Sequence, residues 1–277
     1  MSPQSEFERR GLLGGLITLS LAACTGQLAP RATAPREGLT LATFNIWHDA
    51  GGQWPARLDL IVTALRAADP DVIALQEVLQ DASKGLPNQA ETIAERLGYP
   101  HVFFVGAEPE TASKRYGNAI ISRLPVVDVA RRKLEPLDDY RTAIRVRVQK
   151  EGKPIDVVAT HLAWQPEAAA VRAAQIADLL HWIPDDGVPA LLLGDFNAPL
   201  DDRGLDALSP RFVSALPPKA VATTLNPAHG HEARVIDHIF VESTAFGIRK
   251  AHIIGDRPVN GLYPSDHFGV VAQISLR

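Results

Sequence analysis

Polar side chains interrupt the sequence where several apolar, strand-like runs end. One run, PALLLGDFNAP, ends in Asp195 and Asn197, and another, VVATHL, ends near His161. A carboxylate at the edge of a core is costly unless a metal or a hydrogen-bond partner compensates its charge. Further apolar runs begin or end with polar groups of the same kind: Asn45, Glu77, Asp237, Asp266 and His267. If neighbouring strands end at one edge of a sheet pair, these side chains converge on a single cleft.

Oxygen-bearing side chains dominate this set. Glu77, Asp195 and Asp266 supply carboxylates, and Asn45 and Asn197 supply amide oxygens or N–H donors. Hard oxygen ligands of this type suit Mg²⁺ or Mn²⁺. The set lacks the cysteine and histidine clusters that structural zinc requires. Taken alone, the Asp-Phe-Asn sequence also fits an Asx-turn, which is a structural role.

Two histidines add proton-transfer chemistry to the set. His161 and His267 can donate to phosphoryl oxygens or to a leaving group, and Asp237 can hold one of them in the required tautomer. His161 alone would more often be structural, so the interpretation rests on the combination. Carboxylates, amides, a divalent cation and two histidines together indicate hydrolysis of a phosphoester.

Other polar residues are weaker candidates. Arg141 opens a predicted strand and could contact a substrate phosphate. Asn118, in YGNAIISR, could support the site through hydrogen bonds or lie in a turn. His238 is predicted to be structural. His229 and His231, in the loop NPAHGHEARV, could line the pocket or be plain surface residues, and we favour the surface.

Alternating strand-like and helix-like segments must position these side chains. Apolar residues at helical spacing predict helices over 55–69 and 167–183, and a glycine ends a third helix predicted over 90–98. Arg172 and Gln175, on the 167–183 helix, are expected to serve packing and solvent contact. The apolar and alternating runs between the helices predict strands. Many strands with few helices favour packed sheets flanked by helices.

Six motifs resemble, in their order along the chain, the endonuclease/exonuclease/phosphatase superfamily, which includes deoxyribonuclease I. They are FNIW, LQEV, ATHLAW, GDFNAP, IDHIFV and SDHFGV. The resemblance covers residues 39–277. It implies an α/β fold, a four-layer α/β/β/α sandwich of two packed mixed sheets like that of deoxyribonuclease I, with the site at one edge of the sheets.

The resemblance also implies roles for the oxygen-bearing side chains. Glu77 would bind the divalent metal, Mg²⁺ or Mn²⁺, and Asp266 would be a further ligand on the metal side. Asn45 would assist at the metal or at the scissile phosphate. Asp195 would orient or deprotonate the attacking water, and Asn197 would hydrogen-bond the phosphate.

For the histidines, the resemblance implies two separate roles. His267 would stabilise the pentavalent transition state, with Asp237 as its orienting partner. His161 would protonate or stabilise the leaving oxygen. Arg141 and Asn118 complete the set as candidates for substrate binding. Positioning and electrostatics would supply most of the acceleration, because in-line attack needs little covalent chemistry from the protein.

These expectations describe a divalent-metal-dependent phosphoesterase that hydrolyses a phosphodiester or phosphomonoester with a metal-activated water. The substrate stays open between nucleic acid, as for a nuclease acting on DNA or RNA, a lipid, as for a sphingomyelinase-like phosphodiesterase, and a small molecule. A net charge of −4 and the lack of a long basic run disfavour tight duplex binding. The non-enzymatic alternative is a degenerate relative that binds a ligand without catalysis.

The N-terminal region predicts export and attachment to a membrane. Two arginines precede an apolar run of signal-peptide length, and ERRGLL resembles the twin-arginine export motif. LAAC resembles a bacterial lipobox, in which Cys24 becomes the lipidated first residue of the mature chain. Residues 1–23 are therefore predicted as a signal peptide, 24–38 as a Pro- and Ala-rich tether and 39–277 as the catalytic domain. We expect a monomer in the periplasm or cell envelope.

Overall fold

The computed structural model describes residues 38–277 and divides them among twelve strands and three α-helices. The bounds, in chain order, are β1 Leu39–Asn45, α1 Trp54–Ala68, β2 Val72–Asp81, α2 Gln89–Leu97, β3 His101–Gly106, β4 Lys114–Ser122, β5 Val126–Lys133, β6 Thr142–Lys150, β7 Lys153–His161, α3 Ala169–Trp182, β8 Ala190–Asp195, β9 Phe212–Ser214, β10 Asp237–Glu242, β11 Phe246–Ile254 and β12 Gly269–Leu276. The predicted signal peptide, the lipobox with Cys24 and the tether up to residue 37 lie outside the described residues.

Two six-stranded mixed sheets form the centre of the fold. Their strand orders are β11-β12-β1-β2-β4-β3 and β5-β6-β7-β8-β10-β9. The main core lies between them, where Leu41 and Ala74 of the first sheet belong to one apolar cluster with Val157 and Leu191 of the second. Among residues 38–277, no helix is both long and apolar enough to cross a membrane.

The three helices cover the outer faces of the two sheets. Helices α1 and α2 pack on the first sheet, where Phe44 and Ile61 share a cluster. Helix α3 packs on the second sheet, where Ile176 and Leu192 share another. The layers therefore run α/β/β/α, and the predicted fold class is confirmed. Each of the three predicted helices is also present, with its ends within two residues of the prediction.

The three consecutive leucines of β8 follow from this layering. Leu191 and Leu193 face the core between the sheets, and Leu192 faces α3. Because successive side chains of a strand point to opposite faces, a strand covered on both faces is apolar at every position. The polar residues at its end therefore stand out against a fully buried run.

The strand register brings the polar strand ends to one edge of the sandwich. Strands β1 and β2 are parallel, with Asn45 opposite Gln76, and β7 and β8 are parallel, with His161 opposite Asp195. Strand β10 runs antiparallel to β8 and places Asp237 opposite Asp195. The ends of β1 and β8 meet across the two sheets, where Nδ2 of Asn45 donates to Asp195 at 3.0 Å.

Candidate active site

The carboxylate of Asp195 is the point at which the predicted side chains meet. Its Oδ2 atom accepts a hydrogen bond from Nδ2 of Asn45 at 3.0 Å, and it lies 3.3 Å from Nε2 of His161 and 3.8 Å from Nε2 of His267. Its side chain is only 1% exposed. Burial and the nearby charge of Asp237 raise the pKa of Asp195 to about 7. A carboxylate with this pKa can take up a proton near neutral pH.

The backbone around Asp195 is shaped by two special positions. A Cβ atom at Gly194 would lie 2.0 Å from the carbonyl oxygen of Thr160, so only glycine fits there. Asn197 has a left-handed backbone, with φ of 51°. Its N–H donates to Oδ1 of Asp195 at 2.9 Å, which is the Asx-turn considered from the sequence, and its Nδ2 donates to the carbonyl of Leu162 at 3.1 Å. The turn therefore fixes Oδ1 of Asp195, and the hydrogen bond from Asn45 fixes Oδ2.

A bulge in β2 presents Glu77 to the same edge. The register of β2 against β4 shifts between Leu75 and Val78, and Glu77 has φ of 58°. Bulges re-aim side chains beside functional sites, and a left-handed backbone at a non-glycine residue costs about 1–3 kcal/mol. Oε1 of Glu77 accepts from Nδ2 of Asn45 at 3.2 Å, while Oδ1 of Asn45 accepts from the N–H of Trp47 at 3.0 Å. The Nδ2 group of Asn45 thus links the carboxylates of Glu77 and Asp195.

His267 and Asp237 form a buried charged pair. Nδ1 of His267 donates to Oδ2 of Asp237 at 2.9 Å. Burial opposes the charged imidazole, but Asp237 and Asp195 outweigh it and raise the pKa of His267 to about 10. His267 is therefore positively charged at neutral pH, with its Nε2–H on the side of Asp195.

His161 has the opposite electrostatic environment. Burial, followed by the charges of Arg141 and His267, lowers its pKa well below the ordinary value for histidine. It is therefore neutral at pH 7, although it lies 3.3 Å from the Asp195 carboxylate. Two histidines with similar sequence settings thus carry different charges.

Asp266 lies beside His231, which the sequence did not place in the site. Nε2 of His231 and Oδ2 of Asp266 are 3.2 Å apart, and the rings of His231 and His267 are 6.4 Å apart. The prediction that His231 is a plain surface residue is therefore wrong. The loop that carries His231 returns to the site because Asn226 donates to the carbonyl of Ser265 at 3.3 Å. His229 is exposed, and its ring packs against another aromatic side chain.

Arg141 is buried on the wall of the site without an ion pair. It is 3% exposed, and within residues 38–277 no carboxylate forms a salt bridge with it. Its guanidinium carbon lies 4.4 Å from the ring centroid of Tyr140, and its Nε atom has no hydrogen-bond partner. Buried arginines are normally paired. An unpaired one in a cleft is ready to bind an anion.

Asn118 lies inside β4 and not in a turn. It is buried, and its Nδ2 donates to the carbonyl oxygen of Thr142 at 2.8 Å and to the Oγ1 of Thr142 at 3.1 Å. This bond joins the first sheet to the start of β6, next to Arg141. Asn118 lines a small recess shared with Arg141 and His161 and is not part of the wall of the main cavity described next.

A cavity of about 380 Å³ holds most of the predicted site residues. Its wall includes Glu77, Arg141, His161, Asp195, Asn197, Asp266 and His267. A larger cavity of about 580 Å³ shares Arg234 with it and is otherwise lined mainly by prolines and aliphatic residues. The sequence did not identify five polar or aromatic residues on the wall of the smaller cavity: Tyr116, Tyr140, Trp164, His231 and Arg234. Four of them stand in segments singled out from the sequence without being assigned to the site: Tyr116 in YGNAIISR, Trp164 in ATHLAW, and His231 and Arg234 in NPAHGHEARV.

Three buried polar side chains hold the loops around this cavity. Arg57 donates to four carbonyls, including those of Ile46 and Pro264 at 2.7 and 3.0 Å. Arg172 and Gln175, on α3, are buried and bind the chain after β7. The expectation of solvent contact for these two residues is therefore wrong.

Two groups of side chains offer ligand atoms for a cation. Asp195, Asp237 and His267 place such atoms within 4.8 Å of one another. However, His267 donates to Asp237 and, with a pKa of about 10, has no free lone pair at neutral pH. Glu77 and Asp266, on the wall of the cavity, are hard oxygen ligands of the kind that Mg²⁺ prefers. The donor chemistry therefore fits a divalent cation on the side of Glu77.

The chain also matches a known protein family. Residues 42–267 match the model of the Endonuclease/Exonuclease/phosphatase family. The chain belongs to this family. Membership in the Endonuclease/Exonuclease/phosphatase family indicates a hydrolase that acts on phosphoesters, and the resemblance inferred from the six motifs is confirmed.

Individual relatives within the Endonuclease/Exonuclease/phosphatase family are distant. Nocturnin of Drosophila melanogaster is 28% identical over 315 residues, which cover 88% of this chain and 48% of the relative. The chain thus spans about half the length of that curated relative. The human Nocturnin catalytic domain with bound sulfate has a TM-score of 0.71 at 23% identity, covering 87% of this chain and 94% of that one. A mannosyl-6-phosphatase from Bacteroides thetaiotaomicron has a TM-score of 0.69 at 21% identity, covering 85% and 99%. These two structural likenesses establish the fold.

Proposed function

We propose that this chain is a divalent-metal-dependent phosphoesterase, with Mg²⁺ or Mn²⁺ as its cofactor. The observation that carries the proposal is the buried Arg141, which has no carboxylate partner among residues 38–277 and lies on the same cavity wall as Asp195, His161 and His267. A phosphoryl group is an anion that suits the planar donor set of arginine. Arg141 would hold the phosphoryl group beside side chains that can accept or donate a proton.

The chain's own residues divide the work of hydrolysis. Asp195, with a pKa of about 7, orients the attacking water and takes its proton. Arg141 and the amide of Asn197 hold the non-bridging oxygens of the phosphoryl group. Charge that builds up on these oxygens is met by the imidazolium of His267, which Asp237 keeps protonated.

The neutral state of His161 limits its role. A neutral imidazole can donate one hydrogen bond to the leaving oxygen, but it does not deliver a proton as readily as an imidazolium does. The charged His267 is therefore the better proton reservoir of the two histidines. The sequence-based assignment of His161 to the leaving oxygen is retained here as a hydrogen-bonding role.

The metal would be held by oxygen ligands beside Asp195. Glu77 supplies a carboxylate that is 18% exposed, Asp266 supplies a second, and Asn45 supplies an amide oxygen with a free lone pair. A bound divalent cation supplies Lewis-acid neutralisation of phosphoryl charge. Asn45 also keeps Glu77 and Asp195 at a fixed separation through its two hydrogen bonds.

A small phosphoester is the substrate class that we favour. A fold neighbour is a mannosyl-6-phosphatase, and another is TDP2 of D. rerio complexed with a single-strand DNA product. The net charge of −4 supports the smaller substrate, because long polyanions bind best to basic surfaces.

A substrate panel tests the proposal. The full chain is incubated with Mg²⁺ and, in separate reactions, p-nitrophenyl phosphate, bis-p-nitrophenyl phosphate, single-stranded DNA, RNA and sphingomyelin. We expect hydrolysis of at least one phosphoester, complete loss after EDTA treatment and recovery on adding Mg²⁺ or Mn²⁺. Hydrolysis that survives chelation contradicts the metal dependence. Inertness to every substrate, with Mg²⁺ bound by calorimetry, favours the degenerate ligand-binding alternative.

We also propose that the chain is exported and anchored in the envelope through a lipidated Cys24. The support is the sequence alone, namely the LAAC motif after the apolar run. Fractionation of cells that express the full chain tests this. The wild type is expected in the membrane fraction, and Cys24→Ser is expected to shift to the soluble fraction. An equal distribution of both proteins contradicts lipidation.

A further inference from the structure

Two aromatic side chains stand exposed on the wall of the catalytic cavity. Trp164 is 57% exposed and Tyr140 is 44% exposed, and both line the 380 Å³ cavity that contains Asp195 and Arg141. We propose that Trp164 and Tyr140 form a binding site for a ring in the leaving group of the substrate, either a nucleobase or the apolar face of a sugar. The inference rests on the proposed phosphoesterase function and specifies the class of its substrate.

The loop that carries Trp164 is held on both sides of the tryptophan. Arg172 is 1% exposed and donates to the carbonyls of Ala163 and Gln165 at 3.2 and 2.9 Å. Gln175 accepts from the N–H of Ala163 at 2.9 Å. An exposed tryptophan between two anchored neighbours is displayed by the fold, because a mobile loop would let the ring turn inward to bury its apolar surface.

The same glutamine also anchors the loop of Tyr140. Nε2 of Gln175 donates to Oδ2 of Asp139 at 2.9 Å, and Oδ1 of Asp139 accepts from the N–H of Tyr140 at 2.7 Å. One buried side chain of α3 therefore fixes the positions of both exposed aromatic residues. A shared anchor keeps the spacing between Tyr140 and Trp164 constant, as a site for one rigid ligand requires.

Tyr140 links this aromatic pair to the phosphate-binding position. The guanidinium of Arg141 lies 4.4 Å from the ring centroid of Tyr140, and the ring of Tyr116 lies 6.3 Å from it. A phosphoryl group held by Arg141 places the group esterified to it next to Tyr140. Flat rings gain about 1–3 kcal/mol each by stacking on aromatic side chains in nucleic-acid complexes, and such a contact accepts different rings.

A lipid surface is the competing occupant of exposed aromatic residues. Leu137, 54% exposed, lies in the same segment as Tyr140. Trp164 and Tyr140 lie on the wall of the cavity that also contains the buried guanidinium of Arg141, and this placement favours a ring-bearing phosphoester over a bilayer. Leu137 does not line that cavity, so it serves to separate the two possibilities experimentally.

A matched pair of phosphonates tests the ring site. Phenylphosphonate and methylphosphonate share the anionic head and differ in the ring, and neither is hydrolysed. Their affinities for the full chain with Mg²⁺ are measured by calorimetry. We expect phenylphosphonate to bind about tenfold more tightly. Trp164→Ala and Tyr140→Ala should each reduce that ratio several-fold, and Trp164→Phe should retain most of it.

Two further proteins serve as controls for the same titration. Val127→Ala changes an exposed apolar residue of β5 and should leave the ratio at the wild-type value. Leu137→Ala should do the same. A wild-type ratio near one contradicts the ring site. The ring site is also contradicted if the protein shows no phosphonate preference but binds phosphatidylcholine vesicles tightly, and if Trp164→Ala and Leu137→Ala weaken that binding equally.

A second pair of ligands distinguishes a nucleobase from a sugar as the bound ring. Adenosine 5′-monophosphate and mannose 6-phosphate are titrated into Asp195→Asn, which is designed to prevent turnover. Tighter binding of the first identifies a nucleobase as the ring, and tighter binding of the second identifies a sugar. Both ligands binding no more tightly than methyl phosphate contradicts the ring site.

Hydrolysis assays keep this inference distinct from the proposed function. If the protein prefers phenylphosphonate but hydrolyses no phosphoester, the ring site is supported and the enzymatic proposal is contradicted. If the protein hydrolyses p-nitrophenyl phosphate but binds both phosphonates equally, the enzymatic proposal is supported and the ring site is contradicted.

Discussion

The cavity of the candidate active site has two regions that are built in different ways. Its buried centre, formed by Asp195, Asp237 and His267, is fixed by strand ends and by the register between β8 and β10. Its exposed rim, formed by Tyr140 and Trp164, lies on loops that are fixed by side chains of α3. The centre thus depends on the sheets, and the rim depends on a helix of the outer layer.

The electrostatics of the two regions differ in the same way. At the centre, burial and the charge of Asp237 raise the pKa of Asp195 to about 7. Burial lowers the pKa of His267, but the charges of Asp237 and Asp195 outweigh it and raise that pKa to about 10. The rim residues are aromatic, and their contacts are rings and cations. The centre is therefore suited to the phosphoryl group that every candidate substrate shares, and the rim to the part in which substrates differ. Variants at the centre should change kcat, and variants at the rim should change relative affinities.

The largest expected effect comes from the centre. Asp195→Asn keeps the shape of the side chain but removes its capacity to accept a proton, so kcat should fall at least about 10³-fold. Steady-state kinetics with the best substrate of the panel measure this. Asp206→Asn changes an exposed acidic residue and should retain wild-type kcat. A variant at Asp195 with more than a tenth of wild-type kcat contradicts its role as the base.

The next largest effect is expected from substituting two arginines, Arg141 beside the centre and Arg172, which anchors the rim. Arg141→Ala should lower kcat/KM about 10²-fold, because phosphate loses its buried partner. The unfolding free energy should change by less than about 1 kcal/mol, since no carboxylate in the described part of the chain would be left unpaired by the loss of Arg141. Arg172→Ala removes the partner of Asp202, 2.8 Å away, and should cost about 3 kcal/mol of stability.

Chemical denaturation and kinetics on the two arginine variants check this contrast. Loss of stability in Arg141→Ala that matches the loss in Arg172→Ala means that Arg141 is a structural residue. The assignment of an anion-binding role to Arg141 then fails.

The contrast between the regions also explains what the sequence could predict. Asp195, Asn197 and His161 were recognisable because each ends an apolar run, and alternation along a buried strand makes a polar residue at its end conspicuous. Their convergence followed from the parallel pairing of neighbouring strands. The bulge that re-aims Glu77 was not foreseen, because a left-handed backbone at a glutamate has no sequence signature.

The rim was not predictable for a physical reason. Arg172 and Gln175 lie on the same helix face as the buried Ile176 and Leu179, so only their polar side chains suggested solvent contact. Their hydrogen-bond partners come from the loop after β7, and the approach of that loop to α3 depends on tertiary packing. His231 was missed because its loop reaches the site through contacts made far along the chain.

Substitution of the shared anchor should give a smaller effect on the rim alone. Gln175→Ala removes the bonds to Ala163 and to Asp139. It should reduce the phenylphosphonate preference several-fold and cost about 1–3 kcal/mol of stability, while p-nitrophenyl phosphate turnover falls less than in Asp195→Asn. Gln175→Glu still accepts from Ala163 but repels Asp139. It should therefore weaken the contribution of Tyr140 and retain that of Trp164.

Double variants measured by calorimetry separate these contributions. In the Gln175→Glu background, Trp164→Ala should still lower the phosphonate ratio, and Tyr140→Ala should lower it no further. Equal effects of both in that background would mean that the two loops are positioned independently of Gln175.

The smallest expected effect concerns pH and the buried histidine behind the centre. Nε2 of His238 donates to the carbonyl of Ala198 at 2.9 Å, and burial lowers the pKa of His238. Below about pH 6.5 the unfolded chain binds a proton that the folded chain excludes. The unfolding free energy from this residue therefore falls as pH decreases below 6.5 and is constant above it. His238→Gln can still donate to Ala198 but cannot titrate, so it should reduce the acid slope by at most about 1.4 kcal/mol per pH unit. Tyr140→Phe, at the rim, should leave the slope unchanged. Urea denaturation at pH 5.5, 6.5 and 7.5 measures both, and equal slopes in His238→Gln and the wild type would show that His238 does not titrate differently on folding.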